Sequence, residues 1–197
     1  MNESIVNPDT RPSYPNSEAN EFLSSTLERI DGWLKFAEGK NAVLLGFSAG
    51  TLSFLSEKFC GELSSLSCAL VDVGIFLLVY SSLMALISFM PIYNWRAFLG
   101  VMLDTNTKFY GEATDHDNLI FYGDIAKYER DQYLEALESR YFPSAPGLRS
   151  HLKTKDLASQ IIVNSRIAVL KYRYFERGAV SLVVAFVVSL LAYILGP

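Results

Sequence analysis

Residues 178–195, GAVSLVVAFVVSLLAYIL, run for 18 positions without a charged side chain. As a helix this stretch extends roughly 27 Å, close to the hydrocarbon thickness of a bilayer. It has no polar face to turn toward water and is preceded by Arg177, so a membrane span is the better reading and a buried core helix the poorer one.

Half of the 197 residues are apolar, and that surplus is concentrated in residues 42–55, 66–90 and 178–195. The second segment carries Asp72, which is costly at mid-bilayer, but residues 73–90 are long enough to cross alone with Asp72 at the interface. The first is short and crosses only if extended to Phe59, with Lys40 and Lys58 reaching toward headgroups. Three spans is the expectation, with two as the alternative.

Of the 17 lysines and arginines, only Lys58 falls between the first two segments. Basic residues favour the cytoplasmic side, so the N-terminus and residues 91–177 are expected inside and the loop 57–65 outside. The opening MNESIVNPDTRPSYPNSE is polar and proline-rich, lacks the apolar core of a signal peptide and reads as a disordered lead-in. A net charge of −4, without a basic run, argues against a nucleic-acid polymer as partner. Cys60 and Cys68 fall in or beside the outer loop; two unpaired thiols are favoured over a bridge, and neither a zinc site nor a redox pair is supported.

Phe22, Leu23, Leu27, Ile30, Leu34 and Ala37 recur at spacings of three and four, marking an amphipathic helix that runs toward the first segment, with Ser17 or Asn20 as its cap. Its dry face needs a partner, expected in 91–177. There FYGDIAKYERDQYLEALESRYF reads as a second amphipathic stretch with Ile125, Tyr128, Tyr133, Leu134 and Leu137 on its apolar side, ended by PSAPG. A third helix is expected from near Asp156, unbroken into the last span and about 60 Å long. The fold class is therefore all-α, with about three transmembrane helices, two of them continuous with a cytoplasmic helical bundle. The expected parts are a tail over 1–20, an amphipathic helix over 21–40, spans over 41–59, 66–90 and 178–196, and a cytoplasmic domain over 91–177. Residues 95–117 are left open as loop or helix.

GFSAG at 46–50 fits the G-x-S-x-G nucleophile elbow and makes Ser48 the candidate nucleophile of a membrane-anchored serine hydrolase. An elbow belongs on a strand-to-helix turn, and only a helix and a polar tail precede this one. Asp115, Asp117, His116 and His151, the candidate acids and bases, sit where no βα units are visible. Gly46, Ser48, Ala49 and Gly50 also suit close helix packing in a membrane, which is preferred. His116 and His151 read as surface residues rather than metal ligands, and the cluster DHDN at 115–118 as a solvated loop rather than a cation site. No phosphate loop is present. Lys40, Asp124, Asn164, Arg166 and Lys171 lie among buried-looking neighbours; structural ion pairs, or a small anionic ligand with a flat ring beside Tyr122 and Tyr172, account for them equally.

Three stretches, WLKFAEGKNAVLL at 33–45, NLIFYGDIA at 118–126 and DLASQIIVNSRIAVLKYRYFERGA at 156–179, together resemble the transmembrane effectors of the bacterial Pycsar antiphage system over about a quarter of the chain. Lys40, Asn118, Phe121, Gly123, Asp124, Gln160, Ser165, Lys171 and Tyr172 match that family's pattern, while Glu38 stands where aspartate is usual and Asn41 where alanine is usual. The resemblance implies no catalytic residue and no cofactor. It implies a multi-pass protein of the bacterial inner membrane that senses cyclic CMP or cyclic UMP from a companion cyclase and impairs that membrane, causing abortive infection. The nucleotide-binding residues it points to are Lys40, Arg166 and Lys171 toward the phosphate, Tyr122 and Tyr172 toward the base, and Asp124 beside them. A homo-oligomer in the lipid bilayer is expected, because three spans are too few to enclose a pore. A passive membrane scaffold is a further alternative.

Overall fold

The computed structural model describes residues 17–58, 65–90, 110–144 and 147–195. Helices and turns make up these residues, with no strand among them. The long elements are α1 (Ser17–Lys58), α2 (Ser65–Phe89) and α5 (Leu152–Ile194); between the last two lie the short α3 (Tyr122–Ile125), α4 (Arg130–Arg140) and a 3-10 turn over Leu148–Ser150. The chain divides into two compact units, residues 1–31 with 110–165 and residues 32–109 with 166–197. Both α1 and α5 contribute to each.

Unit one has the polarity of a water-soluble protein. Leu23 and Ile30 of α1, Leu119, Ile125 of α3, Tyr133, Leu134 and Leu137 of α4, Leu148 of the 3-10 turn and Ile161 of α5 are all fully buried. Each such side chain contributes about 2 kcal/mol on leaving water. The dry face of the N-terminal helix thus finds its partner in residues 119–162. Phe22 extends this core by packing edge-on against Tyr141 and Phe142, both at 5.5 Å. Two side-chain bonds hold α1 to α5, Thr154 Oγ1 to Asn20 Oδ1 at 3.0 Å and Asn164 Nδ2 to Asp31 Oδ1 at 2.8 Å.

Local chemistry shifts several expected boundaries. Helix α1 starts at Ser17, so residues 17–20, expected in the tail, are helical; residues 1–16 lie outside the described residues. The stretch expected as one helix over 121–142 is two. Glu129 interrupts it in an extended conformation (φ −84°, ψ 157°) and forms a capping box with Gln132, satisfying backbone N–H groups that would otherwise need helical partners. Gly147, at φ 91°, supplies the left-handed turn that ends this region and gives its N–H to Glu138 Oε1 at 2.8 Å. Helix α5 begins at Leu152, one turn before Asp156, because His151 is extended and its carbonyl accepts the Lys155 N–H.

Unit two has the opposite polarity. Most of its buried positions are small or polar, among them Asn41, Ser48, Ser67, Ser81, Ser88, Ala85, Ala185 and Ala192, with Leu44, Leu55, Val71 and Leu78 as the larger apolar ones. Many of its large apolar side chains point outward, including Phe47, Phe54, Phe76, Leu83 and Val183. An apolar exterior over a small-residue interior is the pattern of helices packed in lipid, where close backbone approach replaces hydrophobic burial. Two helices, Leu66–Phe89 and Leu152–Ile194, are long and apolar enough to cross a membrane, and only 28 % and 22 % of their most apolar windows is buried, too little for core helices of a soluble protein. The segment 41–59 is not among them by composition, since Asn41, Ser48, Thr51 and Ser53 dilute it. The protein is an all-helical membrane protein.

Contacts within unit two set the helix directions. Ser81 pairs with Gly178 and Leu77 with Ser181, so α2 and α5 are antiparallel. Asn41 meets Lys171, and Leu55 clusters with Ala185, so α1 and α5 are parallel. Gly178 allows a close approach among them: a Cβ there would sit 2.7 Å from Leu44 Cδ2 and 3.4 Å from the Ser81 carbonyl.

Candidate functional site

Where the apolar part of unit two begins, α1 and α5 carry a collar of aromatic and basic residues. Lys40 Nζ lies over three rings, Phe36 at 4.7 Å, Phe175 at 5.2 Å and Tyr172 at 5.5 Å. Trp33 packs edge-on against both Phe36 and Tyr172 at 6.5 Å, and the Tyr172 hydroxyl reaches toward the Trp33 carbonyl at 3.5 Å. Three rings on two helices therefore surround one ammonium, with Trp33 packed behind two of them. No carboxylate lies within ion-pair distance of Lys40 among the described residues, so the ring quadrupoles hold the cation while leaving it a full charge to offer an anion.

Beside it, Lys171 is spent. It is 6 % exposed and its ammonium donates to Glu38 Oε1 at 2.6 Å, which neutralises a charge that burial would otherwise make costly. Asn41 ties the same turn together, donating to the Ala37 carbonyl at 2.9 Å and toward that of Lys171 at 3.4 Å.

A second polar cluster lies in unit one. Lys127 bridges two carboxylates, Asp117 at 2.8 Å and Asp124 at 2.7 Å. Asp117 also accepts from the Thr114 N–H and hydroxyl, both at 2.9 Å. Burial pushes the Asp117 carboxyl up, but the Lys127 ammonium and the Thr114 bonds outweigh it and hold the group below the usual carboxylate range. The hydrogen bonds to Asp117 and Asp124 push the Lys127 ammonium up. Arg140 of α4 completes the clamp by donating to the carbonyls of Asp117 at 3.1 Å and Thr114 at 3.3 Å. Next to it is a cleft of about 340 Å3 lined by Thr114, Asp115, Tyr128, Gln132, Glu135 and Arg140 among others. With two carboxylates facing one already engaged guanidinium, this cleft is a poor anion site.

The six residues singled out for nucleotide binding thus fall in two groups. Lys40, Arg166, Lys171 and Tyr172 belong to unit two, where Lys40 and Tyr172 meet directly and Arg166 is half-buried on α5. Tyr122 and Asp124 belong to unit one: Tyr122 packs on Phe121 at 4.6 Å, burial pushes its phenol up, and Asp124 pairs with Lys127. Sequence reasoning missed the roles of Lys127 and Arg140, although Lys127 three residues after Asp124 was a visible ion-pair spacing. It also missed the aromatic partners Trp33, Phe36 and Phe175.

Ser48 is no nucleophile elbow. It lies inside α1, fully buried, with its hydroxyl 2.8 Å from that of Ser81. Its neighbours Gly46 and Gly50 have open space around them. His116 and His151 are exposed, and the buried member of the DHDN cluster, Asp117, is taken by Lys127. Cys68 is exposed on α2, and Cys60 lies outside the described residues.

No curated protein and no solved structure matches the chain. A family model described as the Pycsar effector protein domain, PycTM, matches residues 22–196, which takes in both units, the collar and every helix beyond the first turns of α1. The chain belongs to this family of Pycsar effectors, and its place is among the effectors of antiphage defence.

Proposed function

We propose that the protein senses cyclic CMP or cyclic UMP, made by a companion cyclase, at the Lys40 collar, and responds by impairing the bacterial inner membrane so that infection aborts. The observation that carries this reading is the Lys40 ammonium, ringed by Phe36, Tyr172 and Phe175 with no carboxylate partner among the described residues. A cyclic pyrimidine nucleotide offers a singly charged phosphodiester to such a cation and a flat ring to the adjacent aromatics. The charge of Lys171 is already met by Glu38, so Lys40 is the primary phosphate contact, and Arg166 of α5 is proposed as a second. Tyr122 and Asp124 are proposed as supports of unit one rather than ligand contacts.

The membrane is the target in this reading. Residues 41–58 of α1 are proposed as a third span, because α1 packs alongside two apolar helices at matching levels: Trp33 with Tyr172, Leu44 with Gly178, Leu55 with Leu78 and Ala185. Aromatic and basic residues of the collar then sit at the headgroup level, where Trp, Tyr and Lys are favoured, with the N-terminus cytoplasmic. Ligand seated between α1 and α5 switches the protein only by preferring one packing of those helices over another. Several copies assemble in the bilayer, and no nucleic-acid polymer or cofactor takes part.

The test is titration of the full chain in nanodiscs with cyclic CMP and cyclic UMP by calorimetry, alongside membrane potential in expressing cells. Saturable binding of one nucleotide, lost in Lys40→Ala, with depolarisation on addition, is the expected result. Absence of binding by both would leave a passive membrane scaffold.

A further inference from the structure

The interior of unit two is layered. Helix α1 presents Asn41, Ser48 and Leu55 inward at steps of seven residues, and α5 presents Lys171, Gly178 and Ala185 at the same steps. Contacts join them level by level. Asn41 meets the Lys171 carbonyl at 3.4 Å; Ser48 meets Ser81 at 2.8 Å, and Ser81 donates to the Gly178 carbonyl at 2.9 Å. Leu55, Leu78 and Ala185 then form an apolar cluster. Polar groups return beyond it: Ser189 packs against Gly74, and Ser67 is fully buried on the inner face of α2.

Several of these polar atoms have no partner. Asn41 Oδ1 and Ser88 Oγ, in residues 0 % and 2 % exposed, make no hydrogen bond, and neither does the Ser189 hydroxyl on the far side of the apolar layer. An unpaired polar group inside a membrane bundle is costly, and water is the ordinary molecule that satisfies it. A layer lined only by apolar side chains keeps such water from running through, as hydrophobic constrictions do by dewetting.

We infer that Leu55, Leu78 and Ala185 form a hydrophobic plug in a polar seam through unit two, and that parting this layer opens a path for water and small ions. The inference rests on the proposed membrane-impairing role and gives it a route: ion leakage along the seam rather than disordering of lipid.

The test is potassium efflux from liposomes carrying the full chain. Leu78→Ser, which wets the plug, is expected to leak without any nucleotide about tenfold faster than the unaltered chain, the change that each ~1.4 kcal/mol of lowered barrier gives. Phe76→Ser, on the outer face, is expected not to leak. Equal leakage from both, or none from Leu78→Ser at matched insertion, overturns the plug. A second measurement does not depend on that variant's stability. With Cys60 and Cys68 replaced by serine, Ser81→Cys should react with a membrane-impermeant thiol reagent added on the side of the membrane away from Lys40 after cyclic CMP or cyclic UMP and not before; efflux without labelling overturns the seam. If neither nucleotide causes efflux from the unaltered chain while Leu78→Ser leaks, the nucleotide reading fails and the plug stands.

Discussion

The Ser48 hydroxyl donates to that of Ser81, 2.8 Å away across the interior of unit two, because the Ser81 hydrogen is already given to the Gly178 carbonyl at 2.9 Å. The direction of this relay makes the two serines unequal. Ser48→Ala removes only its first donor and costs about 0.6 kcal/mol, the usual worth of an interhelical bond in a membrane. Ser81→Ala strands the Ser48 hydroxyl as well and costs roughly twice that. Unfolding in detergent should rank them so, and a serine-reactive phosphonate should label neither the unaltered chain nor Ser48→Ala. Labelling that vanishes in Ser48→Ala would revive the hydrolase reading.

Glycines on the two long helices separate by what surrounds them. Gly178→Val forces a side chain into Leu44, Met84 and the Ser81 carbonyl and should destabilise unit two by about 2 kcal/mol. Gly50→Ala meets nothing within 4 Å and should raise stability by up to about 1 kcal/mol through helix propensity alone. Thermal unfolding of both variants in the same detergent checks the contrast; equal losses would mean that another surface covers Gly50.

How much of this was legible follows from the range of each interaction. The dry face of α1 and the outward-facing apolar helices were readable because a repeat of three to four residues, or an uncharged run, is local information. The break at Glu129 was not: a glutamate among other charges reads as a solvated helix position, and its capping box with Gln132 uses Glu where serine or threonine is the familiar signal. The pair Glu38 and Lys171 is separated by 133 residues, so nothing near either side chain announces the other. Lys40 was singled out by its motif, but its cage needed Phe36 from the previous turn and two rings from the far end of the chain. Pattern found the faces and left the pairings to the fold.

Unit one should lose stability at both ends of the pH scale. Asp117 is held below its ordinary value near 3.8, so its contribution is present above that value and lost as pH falls through the lower folded one. Lys127 and Tyr133 are both pushed up, Lys127 by its carboxylate partners and Tyr133 by burial with its hydroxyl on the Leu119 carbonyl at 2.9 Å. Their contributions are present below about 10 and lost as pH rises beyond it. Hydrogen exchange across residues 114–133 should therefore accelerate below about pH 4 and above about pH 10. Asp117→Asn should cost about 2 kcal/mol near neutrality and remove most of the acid limb while leaving the alkaline limb in place. An unchanged acid limb would show that another carboxylate controls it.

The 2.6 Å contact between Glu38 and Lys171 is lopsided, with the lysine side chain 8 % exposed and the glutamate 45 %. Breaking it from either side therefore has different consequences. Glu38→Gln leaves a buried ammonium without its counter-charge; the half-exposed partner lets some water in, so the cost is about 2 kcal/mol rather than the 3–5 of a fully buried pair. Lys171→Met removes the buried charge and fills the same volume with apolar atoms, while Glu38 turns to solvent, so it should cost less than about 1 kcal/mol. Glu38→Asp keeps the charge but is shorter by one methylene and should fall between the two. Unfolding midpoints of the three variants and of the Glu38→Gln, Lys171→Met double variant give the comparison. The double variant should match Lys171→Met, because glutamine then has no buried charge to fail. If Lys171→Met proves as damaging as Glu38→Gln, the lysine stem and not its charge is what holds α5 against α1, and the collar's electrostatics rest on Lys40 alone.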